Sequence, residues 1–245
     1  MNAIEIKELT KLYGQRRAVD RLTLTVAEGE LLALLGVNGA GKTTAIKMLS
    51  CLTEPTSGDA LLEGHSITSD QQAVKAVVNV SPQETAVARN LTVKENLELM
   101  AEIYGSNRGQ AVEKASKMIA AFALEEFASQ KARTLSGGWQ RRLSIAMALI
   151  SNPKILFLDE PTLGLDILAR RELWQAIEHL KGDMTIILTT HYLEEAEALA
   201  DRIAIMEKGR LKALGTAAEL IERTGKKNFE EAFIDLATIT EEQAL

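Results

Sequence analysis

Residues 31–50 read LLALLGVNGAGKTTAIKMLS, an apolar run that breaks into a glycine-rich turn and resumes at helical spacing. The order is therefore strand, loop, helix, and Gly36, Gly41, Lys42 and Thr43 match the spacing G-x-x-x-x-G-K-S/T. The pattern has a physical reason. Glycines let backbone N–H groups wrap an oligophosphate that also sits on a helix N-terminus, where larger side chains would block the approach. Gly36, Val37, Asn38, Gly39, Ala40, Gly41, Lys42, Thr43 and Thr44 thus form a candidate phosphate cradle. Lys42 would reach the β- and γ-phosphates as a point charge, the Thr43 hydroxyl would ligate the Mg2+ that bridges them, and Thr44 would add a donor to the α-phosphate. The alternative, a glycine turn that only joins a strand to a helix, does not require this order of elements. ATP or GTP is the expected ligand.

Around this stretch, 245 residues with 46% hydrophobic and 25% charged content describe a globular chain with a sizeable core. The longest unbroken apolar runs, such as Leu31 to Leu35 and Ile155 to Leu158, fall far short of the ~18 residues that cross a bilayer. No basic start followed by an apolar stretch marks the N-terminus as a signal peptide, and the lone Cys51 has no internal partner, so the cytosol is the expected compartment. A net charge of −6 argues against a broad nucleic-acid surface.

On the N-terminal side, Ile4, Ile6 and Leu9, then Leu22, Leu24 and Val26, alternate with polar neighbours as half-buried antiparallel strands do. Tyr13 lies between them, where its ring would stack on an adenine face or serve as a core or turn tyrosine. Further on, Asp59 to Glu63 and Val77 to Val80 read as strands, the second ending at Ser81-Pro82-Gln83. From Glu84 to about Ser151 the texture is helical. Thr92 with Glu95 makes a capping box, followed by Val93, Leu97, Met100 and Tyr104 on one face. The helix after it, about Gly109 to Ala123, carries Val112, Ala115, Ile119 and Phe122 as its apolar stripe.

Ser136, Gly137 and Gly138 then precede a helix and expose a second set of backbone donors with a helix dipole behind them. Ile155 to Leu158 is an apolar strand that delivers Asp159 and Glu160 at its C-terminal end, where ligands bind in an α/β sheet. Alternate residues leaving a strand point in different directions, so Asp159 suits a Mg2+ shell and Glu160 an attacking water. Asp166 closes the loop before a helix from about Ile167 to Leu180, and Thr185 to Thr189 is a buried strand ending in Thr190-His191. His65 and His179 fall in exposed contexts, whereas His191 stands at the ligand edge. Ile203 to Glu207 and Arg210 to Ala213 form a strand pair, and Asn228 to Leu236 reads as one or two amphipathic turns.

Together these segments resemble the ATPase subunit of an ABC (ATP-binding cassette) transporter over nearly the whole chain. Tyr13 matches the family's aromatic loop, Gly36 to Thr43 its Walker A motif and Gln83 its Q-loop. Leu135 to Trp139 matches the signature, Ile155 to Asp159 Walker B, Glu160 the catalytic glutamate, Gly164 to Asp166 the D-loop and His191 the switch histidine. The resemblance implies an α/β fold: a P-loop NTPase core with an antiparallel β subdomain and an inserted helical signature subdomain at about residues 84–151. Residues 1–223 would be the ATPase domain and 224–245 a short tail. It also implies ATP and Mg2+ as cofactors, catalysis by Glu160, His191 and Lys42, and a metal shell from Thr43, Gln83 and Asp159. Each ATP would lie between two copies, with Ser136, Gly137, Gly138 and Asp166 joining Tyr13, Gln83 and the cradle around it. Trp139 stands where the signature usually has Gln, and Met147 where Arg is common.

The resemblance further implies separate transmembrane permease subunits, a second ATPase subunit, no nucleic acid, and residence on the cytoplasmic side of the membrane. The ending NFEEAFIDL resembles cassettes of drug-, sodium- and polysaccharide-exporting systems that lack an added regulatory domain, which favours export. The alternative is a cytosolic ABC ATPase acting in translation or DNA maintenance. Those relatives carry two cassettes or separate their motifs by long coiled coils, whereas only residues 44–134 intervene here, without sustained heptads.

Overall fold

A computed structural model describes residues 1–238. Strands β1 (Asn2–Tyr13) and β2 (Arg16–Ala27) pair antiparallel with several register shifts, and one of them interrupts the expected alternation: Glu8 takes φ 49° and the register shifts between Ile6 and Leu9. That bulge keeps Leu9 on the buried face with Ile4, Ile6, Leu22, Leu24 and Val26.

The core sheet contains β3 (Leu31–Leu35), β6 (Val78–Ser81), β7 (Ile155–Asp159), β8 (Thr185–Thr190), β9 (Arg202–Glu207) and β10 (Arg210–Gly215), in the order β10-β9-β3-β8-β7-β6. All its pairings are parallel except β9 with β10. Every residue of β3, β7 and β8 is buried, as continuous apolar runs covered on both faces require. Register places the site: Leu35 pairs with Thr190 and Asp159 with Thr189, so Gly36, Glu160 and His191 leave adjacent strands at one edge.

Helix α1 (Lys42–Leu49) follows the glycine-rich loop, and β4 (Ser57–Leu62) and β5 (His65–Ser66) complete a four-stranded sheet in the order β2-β1-β4-β5. Helix α2 (Gln71–Val77) was not expected from sequence, and it moves the start of the next strand from Val77 to Val78. Its one buried residue, Val74, leaves no apolar stripe to read.

The helical insertion comprises α3 (Val93–Ile103), α4 (Arg108–Ala121) and α5 (Gly137–Leu149). Both halves of the Thr92–Glu95 capping box are formed. Two apolar faces differ from the expected ones. In α4 the buried row is Ala111, Ala115 and Ile119, with Phe122 at the C-cap, and Val112 is exposed. In α3 Ala101 is buried while Tyr104 caps the helix in solvent.

Helices α6 (Ile167–Glu178), α7 (Leu193–Leu199), α8 (Ala217–Thr224) and α9 (Phe229–Thr238) complete the fold. The segment read as one or two turns is the ten-residue α9, whose Phe229, Ala232 and Leu236 are buried. Phe229 and Leu236 share a core cluster with Leu35, Ile203 and Ile205, each such side chain contributing ~1.5–3 kcal/mol. Residues 239–245, the end of the expected tail, lie outside the described residues. Among the described residues, no helix is long and apolar enough to cross a membrane.

Candidate nucleotide site

The glycine-rich loop is held from two sides by its own chain. Gly41 has φ 104°, and a Cβ there would lie 2.4 Å from the Ala18 carbonyl oxygen of β2. A Cβ on Gly36 would lie 2.3 Å from the Met206 carbonyl oxygen of β9. Both glycines are therefore demanded by packing as well as by a ligand. The Lys208-Gly209 turn braces the loop, with the Gly209 N–H donating to Ala40 O and the Asp20 N–H to Gly209 O. Burial alone would raise the pKa of Asp20, but the guanidinium groups of Arg210 and Arg17, at 2.6 and 2.9 Å, hold it below its ordinary value.

Lys42 opens α1 and is buried. Its Nζ donates to Gly36 O at 2.6 Å and lies 3.3 Å from Glu160 Oε1. The adjacent carboxylates take different partners. Asp159 Oδ1 accepts from Thr43 Oγ1 at 3.1 Å and Thr189 Oγ1 at 2.6 Å. Glu160, in the left-handed region at φ 50°, is anchored through its N–H to the carbonyl and hydroxyl of Thr189. Such a conformation persists only where its surroundings over-determine it, and it turns the Glu160 carboxylate away from Asp159. Glu160 Oε2 lies 2.5 Å from His191 Nδ1, so both oxygens of this buried carboxylate are matched.

These groups border a cavity of 560 Å³ whose walls include Tyr13, residues 38–44, Gln83, Glu160 and His191. That volume suits a nucleotide-sized ligand. Tyr13 is half exposed at the cavity wall, which sets aside its placement in the core. Gly36 and Val37, expected in the phosphate cradle, do not border the cavity; their carbonyl oxygens accept from Lys42 Nζ at 2.6 and 3.5 Å.

The oxygen donors Thr43 and Asp159, already in contact, fit Mg2+, as does Gln83 on the same wall. Among the described residues no three His, Cys, Asp or Glu gather into a metal cage. One carboxylate and a hydroxyl are what Mg2+ needs when phosphates and water supply its remaining ligands.

Ser136, Gly137, Gly138 and Asp166 do not border this cavity. Ser136 is the N-cap of α5 without a side-chain cap bond, and the nearest atom to a Cβ on Gly137 would be Leu165 Cδ2 at 3.9 Å. Asp166, expected among the nucleotide ligands, caps α6 by accepting from the Leu168 and Ala169 N–H groups at 3.0 Å. Trp139 is engaged inside its own chain, 4.4 Å from the Phe127 ring and 4.5 Å from the Arg142 guanidinium.

Sequence reasoning missed three contributors. From a neighbouring strand, Thr189 donates to the Asp159 carboxylate and accepts from the Glu160 N–H. Arg141, buried in α5, donates to Pro82 O at 2.6 Å and Gln83 O at 2.5 Å, and desolvation lowers its pKa. Arg16 borders the cavity. Only the strand-end position of Thr189 carries a sequence signal, because the other two act across the fold.

The sequence profile described as ABC transporter matches residues 19–163. The phospholipid-transporting ATPase ABCA3 of Homo sapiens is 42% identical over 226 residues, covering 91% of this chain and 13% of that protein. The daunorubicin/doxorubicin resistance ATP-binding protein DrrA of Streptomyces peucetius is 42% identical over 224 residues, covering 91% of this chain and 68% of that protein. Among solved structures, an ATP binding subunit of an ABC transporter superposes with TM-score 0.84 at 30% identity, covering 96% of this chain and 99% of its own. A dimeric ATP-binding cassette in a post-hydrolysis state, bound to ADP and Pi, superposes with TM-score 0.78 at 27% identity, covering 87% and 98%. The profile spans more than half of the chain and includes the loop, the paired carboxylates and the signature helix, so this chain belongs to the ABC transporter family as one of its ATP-hydrolysing domains.

Proposed function

We propose that residues 1–223 bind Mg2+ and ATP, hydrolyse the γ-phosphate, and power a transporter by closing against a second ATPase subunit. The observation that carries this reading is Glu160, held between Lys42 and His191 on the cavity wall. Lys42 and the backbone N–H groups of residues 36–44 bind the phosphates, and Tyr13 stacks on the adenine. Glu160 orients and deprotonates the attacking water, and His191 holds the carboxylate while charge develops on the γ-phosphate. Mg2+, bound through Thr43, Asp159 and Gln83, would neutralise β- and γ-phosphate oxygens.

Ser136, Gly137, Gly138 and Asp166 act on the partner's nucleotide. Their separation from the cavity of their own chain supports that arrangement. Separate permease subunits would hold the pair at the cytoplasmic face of the membrane, with residues 224–245 as a tail. Export is favoured by the likeness to a drug-resistance ATP-binding protein.

Glu160→Gln keeps the shape and loses the base. Steady-state hydrolysis should fall by roughly 10²–10⁴ while ATP affinity is retained and a nucleotide-bound dimer accumulates on size-exclusion chromatography. Near-normal turnover by the purified variant would overturn the assignment.

A further inference from the structure

Tyr13 and Arg16 are directly paired across the turn joining β1 and β2, so their side chains leave the hairpin on one side. Both border the cavity. An Arg16 terminal nitrogen lies 3.6 Å from where a Cβ on Gly39 would stand, which brings the guanidinium against the phosphate loop. Neighbouring cations are engaged elsewhere. Arg17 and Arg21 pair with Asp20, and Lys11 donates to Glu54 O. Arg16 has no hydrogen-bond or ion-pair partner among the described residues. Meanwhile the other lysine or arginine on the cavity wall, Lys42, already faces the Glu160 carboxylate. A nucleotide polyphosphate entering here meets one cation opposed by a carboxylate and one that is unopposed.

We propose that Arg16 is a further nucleotide-binding residue whose guanidinium clamps α- and β-phosphate oxygens from the hairpin side of the cavity. The inference rests on the ATP-binding reading above. Its position along the nucleotide follows from its neighbours. Tyr13, the base-stacking side chain, is its cross-strand pair, Gly39 lies within the phosphate loop, and Lys42 takes the β- and γ-phosphates. The intervening phosphates fall to Arg16. A planar fork of donors suits two oxygens of adjacent phosphates better than an ammonium does.

The test is calorimetric titration of ATP and of ADP, each with Mg2+, into the full chain and its variants. Arg16→Gln should weaken ATP and ADP by the same factor, about five-fold, because a partly exposed charge-assisted contact common to both is lost. Arg16→Lys should fall between the variant and the wild type. Arg21→Gln removes the same charge from the same hairpin away from the cavity and should leave both affinities unchanged. Because Arg16 is exposed and unpaired, its variants should keep the wild-type unfolding midpoint. Unchanged affinities in Arg16→Gln would overturn the inference. So would an equal loss in Arg21→Gln, which would mean a general field, or a loss confined to ATP, which would put the contact on the γ-phosphate. A wild-type chain that binds neither nucleotide would defeat the ATP reading itself and is distinguishable from all three.

Discussion

Two glycine-bearing helix starts, residues 36–42 and residues 136–138, look alike in sequence and differ in what their own chain demands of them. At the first, Cβ atoms on Gly36 and Gly41 would overlap backbone carbonyls at 2.3 and 2.4 Å. At the second, Gly137 would meet nothing closer than 3.9 Å, and Gly138 would meet side chains alone, the Ala169 methyl at 3.2 Å and Leu165 Cδ2 at 4.0 Å. The first site is completed by its own fold, with Lys42 from the start of α1, Asp159 and Glu160 from the end of β7, and His191 from just past β8 brought together. The second is a helix N-terminus whose glycine at 137 is not explained by packing within the chain, in keeping with the proposed use on a partner's nucleotide. A complete half-site and an uncompleted one on the same chain are what a site shared between two copies requires.

The sharpest way to break this comparison is to add the same methyl group to both. Gly41→Ala forces a left-handed φ and a carbonyl clash, at a cost of ~1–3 kcal/mol. At roughly 2–4 °C per kcal/mol, the unfolding midpoint should drop by several degrees, and ATP binding should be lost with it. Gly137→Ala should leave the midpoint and single-chain ATP affinity unchanged. If Gly137→Ala destabilises as much as Gly41→Ala in a thermal melt, the two starts are equivalent and the comparison fails.

A smaller effect is expected where the two regions are tied together. Arg141 carries the signature helix to the carbonyls beside Gln83, so Arg141→Gln should cut turnover about ten-fold with little change in ATP affinity, from losing charged hydrogen bonds. Steady-state kinetics would separate the two effects, since a loss appearing only in the Michaelis constant would place Arg141 with binding rather than with alignment of Gln83. Arg141→Lys, which keeps the charge, should recover part of the rate.

The smallest effect sharpens the completed half-site. Tyr13→Ala should weaken ATP by a factor corresponding to ~0.5–1.5 kcal/mol, whereas Tyr13→Phe should bind as the wild type does. The ring is half exposed, so neither change should move the unfolding midpoint. Equal affinities for all three proteins in a nucleotide titration would remove Tyr13 from the adenine site.

Sequence by itself determined the elements whose signals are local. The run from Leu31 to Leu35 into Gly36 and Lys42, the strand ending at Asp159-Glu160, and the Thr92–Glu95 capping box are each set by residues within a few positions of one another. The divergence of Asp159 and Glu160 is expected from the alternation of a strand, but it is produced by the left-handed backbone of Glu160 just past the end of β7. Tertiary structure decided what depends on partners far along the chain. Val112 and Ala111 are adjacent on one helix, and only the packing of α4 selects which faces the core. Helix α2 buries a single residue and carries no stripe, while α9 owes its burial to α8, β9 and β10. The pairing of Glu160 with His191 and with Lys42, and the reach of Arg141 to Gln83, arise where parallel strands and helices distant in sequence come into register. Local pattern specifies which way a side chain leaves its element; long-range register specifies what it meets there.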